Sequence, residues 1–157
     1  MPWLPEAIWR RRLESEFVLM RQSGVSFTAS ADKTAYEVVL TKPGLEKTGS
    51  AVRRRADHRA RILLGREFPY AGGIEVTWIT PIFHPNIRPA DGKVCIQLVN
   101  QWAEGQTVRQ VVEALEHLLE HPNPASPLNH EAADYFEDHP DALAGEPPAL
   151  KRPRVIA

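Results

Sequence analysis

Four short extended segments crowded into the first half of the chain constrain its fold more than any other feature. VSFTAS (25–30), AYEVVL (35–40), HRARILL (58–64) and IEVTWIT (74–80) carry the β-branched and aromatic content of strands. The turn-forming stretches ADKT, KPG and AGG stand between them. Hairpin-sized connections between such segments predict an antiparallel meander. SAVRRRAD, just ahead of the third segment, reads as a loop or as the start of that strand. Its Arg53, Arg54 and Arg55 are open to two readings, a phosphate-binding patch or an exposed loop or edge strand, and the second needs no ligand.

Helical patterns flank the strands. Pro5 suits a first turn, Glu6 follows where the macrodipole favours an acid, and Gly24 offers a stop. Ile8, Leu13, Phe17 and Met20 recur at helical spacing with Trp9 and Val18 beside them, leaving Arg10, Arg11, Arg12 and Arg21 mainly off that stripe. Such a basic stretch is ordinarily a solvated face. Further on, Thr107 and Gln110 form a capping box ahead of Val108, Val111, Val112, Leu115, Leu118 and Leu119, which predicts a long, core-facing helix. The prolines of HPNPASPLN forbid its continuation, and Asn129 caps a short helix through HEAADYFED. Helices against one face of an antiparallel sheet make an α+β fold.

Between Pro81 and Gln106 neither period persists, yet Ile82, Phe83, Ile87, Val94, Ile96, Leu98, Val99 and Trp102 are too apolar for disorder. An ordered, proline-studded loop is where a site belongs. It holds the only cysteine, Cys95, nine residues after Asn86. A lone cysteine is ordinarily a small buried apolar residue, and one cysteine excludes an internal disulfide or a cysteine zinc cluster. The 157 residues suffice for one domain, and a net charge of −1 argues against nucleic-acid binding by bulk electrostatics. No apolar run approaches the roughly 18 residues of a membrane span. The opening MPWLPEAIWRRRLESEF is too interrupted for a signal peptide, so the expectation is a cytoplasmic chain. Arginine outnumbers lysine 14 to 5.

Taken in order, FPY at Phe68–Tyr70, HPN at His84–Asn86, the G-x-x-C of Gly92–Cys95, Trp102 and PNPASPLNHEAA from Pro122 to Ala133 resemble the ubiquitin-conjugating enzymes. The resemblance runs from about Pro5 to Leu143. It implies a ubiquitin-conjugating-enzyme-like fold: N-terminal helix, four-stranded meander, structured active-site loop, central long helix and short C-terminal helix. Residues 1–143 would be the catalytic core and 144–157 a flexible proline-rich tail. It further implies that Cys95 accepts ubiquitin or a ubiquitin-like protein from an activating enzyme as a thioester and passes it to a substrate lysine, with a ligase as partner. Asn86 would stabilise the oxyanion or merely pin the loop. His84, Pro85 and Trp102 would be structural, and Arg10, Arg11 and Arg12 would dock the activating enzyme. Ser126 occupies the place of an acid that gates the attacking amine; Asp91 and Glu131 are substitutes by sequence proximity only. Lys93, two residues before Cys95, is open to self-modification or is an ordinary solvated lysine. ATP would be spent by the activating enzyme, since no phosphate-cradling glycine loop is present, and no cofactor is implied.

Some features depart from the family pattern. The Asn86–Cys95 spacing is one residue longer than in eukaryotic members and Cys95–Trp102 one shorter. Gly72–Gly73 replaces the usual Pro-Pro, and Ala103–Glu104–Gly105 the ligase-docking loop. These changes lead us to expect the archaeal or bacterial branch, acting as a monomer without nucleic acid or membrane. A catalytically silent adaptor of the same fold competes with this reading, although such variants typically lack the cysteine. A cysteine hydrolase competes too, and it needs a base held beside Cys95.

Overall fold

A computed structural model describes residues 3–70, 72–94, 107–125 and 127–144. Helix α1 (Glu6–Gln22) leads into β1 (Ser26–Ala29), β2 (Ala35–Leu40), β3 (Gly44–Thr48), β4 (Ala51–Arg55), β5 (His58–Leu64) and β6 (Ile74–Trp78), followed by α2 (Val108–Glu120) and α3 (His130–Asp138). Strands β1-β2-β5-β6 form one antiparallel sheet in that order, the expected four-stranded meander. Alternation decides which face is buried: Tyr36, Val38 and Leu40 of β2, Ala60, Ile62 and Leu64 of β5, and Ile74, Val76 and Trp78 of β6 point into one core. Leu13 and Met20 of α1 and Val108, Val111, Val112, Leu115 and Leu119 of α2 cover it.

The hairpin β3–β4 is an insertion that strand periodicity does not reveal. It forms a separate two-stranded sheet turning through Gly49 (φ +60°) and Ser50. Its short strands bury few apolar residues, and ion pairing offsets the shortage: Glu46 accepts from Arg53 at 2.7 Å and Arg55 at 3.0 Å. Arg54 turns to the other face and donates to Ala142 O (3.1 Å) and Ala144 O. The arginine block is therefore a strand fastened on both sides, and the phosphate-patch alternative lapses. Leu45 joins Phe83 and Ala132 in a second small core, flanked by Val52, Tyr135, Phe136, Ala142 and Leu143.

Helix α1 departs from its apolar pattern. Ile8 and Val18 are 42% and 49% exposed, whereas Trp9 packs on the core and donates its indole N–H to Gly65 O. Glu16, three residues from Leu13 and four from Met20, shares the buried stripe and is only 1% exposed. Its Oε1 accepts the Val108 N–H at 2.6 Å, capping the start of α2, and its Oε2 accepts Arg12 Nε at 2.8 Å. The Arg12 guanidinium lies 5.2 Å from the Phe68 ring centroid, so the charge pair also touches the 65–73 turn. That turn holds a cis Phe68–Pro69 bond and needs Gly73, where a Cβ would sit 2.2 Å from Phe68 N.

Candidate active site

Beyond β6 the chain runs to His84–Pro85–Asn86, and each of these residues is tied to a different part of the path between α2 and α3. The buried His84 ring lies 2.8 Å from Leu118 O and 3.0 Å from Asn86 N. A carbonyl can only accept and a backbone N–H can only donate, so Nε2 carries the proton and Nδ1 is bare. Burial pushes the His84 pKa down to about 4. Pro85 O accepts from both Leu128 N (2.7 Å) and Asn129 N (3.1 Å) at the entry to α3. The Asn86 carboxamide donates Nδ2–H to Asn123 O and accepts Asn123 N–H at Oδ1, each at 2.9 Å. Asn123 in turn accepts Ala125 N–H on its own side chain. One tripeptide thus holds the last turn of α2, residue 123 and the cap of α3.

The next eight residues form a self-bonded turn. Ile87 and Val94, each 1% exposed, face one another in a bridge, and Arg88 N donates to Lys93 O at 2.8 Å. Gly92 O accepts Trp78 N–H at 2.7 Å, and Lys93 bridges Thr77, so the turn is laid onto β6. Gly92 has φ +77°, and a Cβ there would lie 2.1 Å from Trp78 O, which leaves no room for a side chain. Asp91 is gripped by the Arg88 fork (3.0 and 2.6 Å) and by Lys93 N–H. The Arg88 bond is the main cause that holds the Asp91 carboxyl at about 2.

The expected site residues divide accordingly. His84, Pro85 and Asn86 are brought together. Cys95, Trp102 and Ser126 lie outside the described residues. Arg10 pairs at the surface with Glu6, Arg11 is exposed, and Arg12 turns inward to Glu16, so the arginine run is not one basic face. Glu131 is exposed and pairs with Lys47. Sequence reasoning missed Asn123, whose only signal was its place in PNP, and Glu16, whose signal was its position on the apolar stripe.

His84 makes stability acid-sensitive. Its folded pKa of about 4 lies below the usual 6.5, so the unfolded chain takes up a proton between those values while the folded one does not. This contribution is complete above about pH 6.5 and declines, by on the order of 3 kcal/mol, as pH falls towards 4. His58, also buried and lowered chiefly by burial, acts in the same direction. Urea melts across this range should show a shallower pH slope for His84→Gln than for the wild type. Equal slopes would contradict the assignment.

Known proteins place this geometry. Residues 13–145 match the family profile described as Ubiquitin-conjugating enzyme. The chain belongs to that family, and its function is ubiquitin transfer. It is 32% identical over 136 residues to ubiquitin-conjugating enzyme E2 2 of Kluyveromyces lactis, covering 83% of this chain and 78% of that protein. The Saccharomyces cerevisiae enzyme of the same name is 32% identical over 136 residues, at 83% and 74% coverage. Human ubiquitin-conjugating enzyme E2 S is 40% identical over 75 residues, 47% of this chain and 33% of that protein. The fold is also that of the E2 domain of a Toxoplasma gondii ubiquitin conjugating enzyme, with TM-score 0.67, 21% identity and coverage of 85% and 89%. These relatives are eukaryotic and lend no support to an archaeal or bacterial placement.

Proposed function

We propose that Cys95 is the thiol that receives ubiquitin from an activating enzyme and yields it to the amine of a substrate lysine. The thiolate displaces the activating enzyme's thiol from the ubiquitin thioester. The lysine nitrogen then attacks the new thioester carbonyl, and Cys95 leaves as the thiolate. Thiol exchange is nearly balanced in energy, so position matters more than driving force. The observation that supports this reading is the double commitment of His84: both ring nitrogens are bonded to backbone, which removes His84 as the base of a cysteine hydrolase. A carrier needs no such base, because the acyl group it accepts is already activated.

Asn86 combines two roles in this reading. One carboxamide proton and the carbonyl hold Asn123, and the remaining Nδ2 proton serves the oxyanion that forms during aminolysis. His84 and Pro85 fix the loop, Trp102 anchors it, and Ser126 borders the approach of the lysine. Arg10 and Arg11 offer the exposed charge for docking the activating enzyme, and a ligase selects the substrate. A thiol that must stay reduced suits a cytoplasmic monomer. The test is a chase: enzyme charged with ubiquitin, Mg-ATP and activating enzyme is quenched of ATP and given free lysine. Loss of the thiol-sensitive adduct with appearance of ubiquitinated lysine supports the reading. An adduct that releases free ubiquitin by hydrolysis as fast with lysine as without it would favour the hydrolase.

A further inference from the structure

We infer that His117 and His121 form a two-imidazole chelate, on the last turn of α2, for a divalent ion of the nickel–copper class. The chain has six histidines. His58 and His84 are buried, each with Nε2 against a backbone carbonyl. His130 is exposed, and His139 stacks on the ring of Tyr135. His117 and His121 are the pair in which one imidazole lies on another. Their ring centroids are 4.2 Å apart with 23° between the planes, and both residues are exposed. Four residues make about one helical turn, so the two side chains share a face.

Hydrogen bonding prepares His121 for a metal. His117 O accepts from the His121 backbone N–H at 2.9 Å and from its ring Nδ1 at 3.1 Å. A carbonyl only accepts, so Nδ1 carries the proton and Nε2 keeps a bare lone pair. Donation from the other ring nitrogen to a backbone carbonyl is a usual support of a metal-bound imidazole. Two metal–nitrogen bonds of about 2.0–2.1 Å hold their nitrogens about 3–4 Å apart, close to the spacing of the stacked rings. Charge favours a cation: α2 carries Glu113, Glu116 and Glu120 against Arg109, and its last carbonyls add the negative end of the macrodipole. Among the described residues no cluster of three or more His, Cys, Asp and Glu side chains could hold a metal. Water therefore fills the remaining positions, which suits the tetragonal N,O coordination of Ni2+ or Cu2+ and not a closed four-ligand zinc site. An ion here ties the last turn of α2 to His121, two residues before the Asn123 backbone that Asn86 holds.

Ni2+ is the probe, because it does not oxidise the thiol of the chain. The full-length protein is titrated with nickel chloride at neutral pH, with calorimetry for affinity and proton NMR for the histidine ring signals. Ring signals report on the histidines themselves, so nickel taken up by the Cys95 thiol does not mask the outcome. Paramagnetic broadening should strike His117 and His121 at substoichiometric nickel, before His130 and His139. His117→Ala and His121→Ala should each weaken this binding by about tenfold or more, and the double variant no further than either single one, because a chelate is lost with its first arm. His130→Ala should bind like the wild type. Absent or unselective broadening, losses that add in the double variant, or unchanged affinity in both single variants would overturn the chelate.

Discussion

Glu16→Ala lowers the stability of the folded chain by about 3–5 kcal/mol, the cost of breaking a buried ion pair from one side. The carboxylate is 1% exposed and serves two donors from different elements, Arg12 of α1 and the first N–H of α2. Removing it leaves the Val108 N–H without an acceptor and leaves the Arg12 charge, only 24% exposed, with its carboxylate gone. Glu16→Gln keeps an acceptor for Val108 but gives up the charge, so it should cost about 1–3 kcal/mol. Urea denaturation followed by circular dichroism measures both. A loss below about 1 kcal/mol for Glu16→Ala would mean that water replaces the carboxylate and that α1 and α2 are joined by apolar packing alone.

Asn86→Ala should act on both stability and rate. Losing the two reciprocal bonds from the buried Asn86 carboxamide to the backbone of the exposed Asn123 costs about 1–3 kcal/mol, at about 0.5–1.5 kcal/mol for each bond. Losing the oxyanion donor slows discharge of the charged enzyme to free lysine by about 10²–10³-fold. Charging itself should be affected far less, because the activating enzyme has already paid for an activated acyl group. Single-turnover discharge, measured at a temperature where the variant remains folded, separates the two effects. A folded Asn86→Ala that discharges at the wild-type rate would leave Asn86 as a strap between residues 86 and 123 and nothing more.

Local signals in the sequence reached the elements whose causes are local. β1, β2, β5 and β6 follow from β-branched and aromatic content between turn residues, and α2 from Thr107, Gln110 and an apolar face, all within a few residues of each other. The β3–β4 hairpin was hidden because its register rests on Glu46 holding Arg53 and Arg55, and its outer anchor is Arg54 gripping carbonyls 88 and 90 residues away. Glu16 looked like a surface acid because its partner, Val108, is 92 residues distant. The helical pattern assigns Ile8 to the core, but Ile8 is exposed, and at the start of α1 it is Trp9 that packs on the core and finds an acceptor in Gly65.

The same distinction applies to the site. HPN and the G-x-x-C context were visible as residues, yet what they hold was not: His84 bonds a carbonyl 34 residues on, and Asn86 a backbone 37 residues on. The arginines at 10–12 looked equivalent until the fold turned one of them inward to Glu16. A motif names the side chains that matter. Only the tertiary structure shows which of their hydrogen-bonding groups remain available for chemistry.

The most direct measurement of the central claim is intact mass spectrometry of the chain after incubation with ubiquitin, Mg-ATP and activating enzyme, before and after a thiol is added. Because Cys95 is the only cysteine, a thiol-labile adduct locates itself. The account predicts one ubiquitin per chain, released by thiol and absent from Cys95→Ala. A chain that keeps its unmodified mass beside a demonstrably charged activating enzyme, or a Cys95→Ala that still passes ubiquitin to lysine, would contradict it.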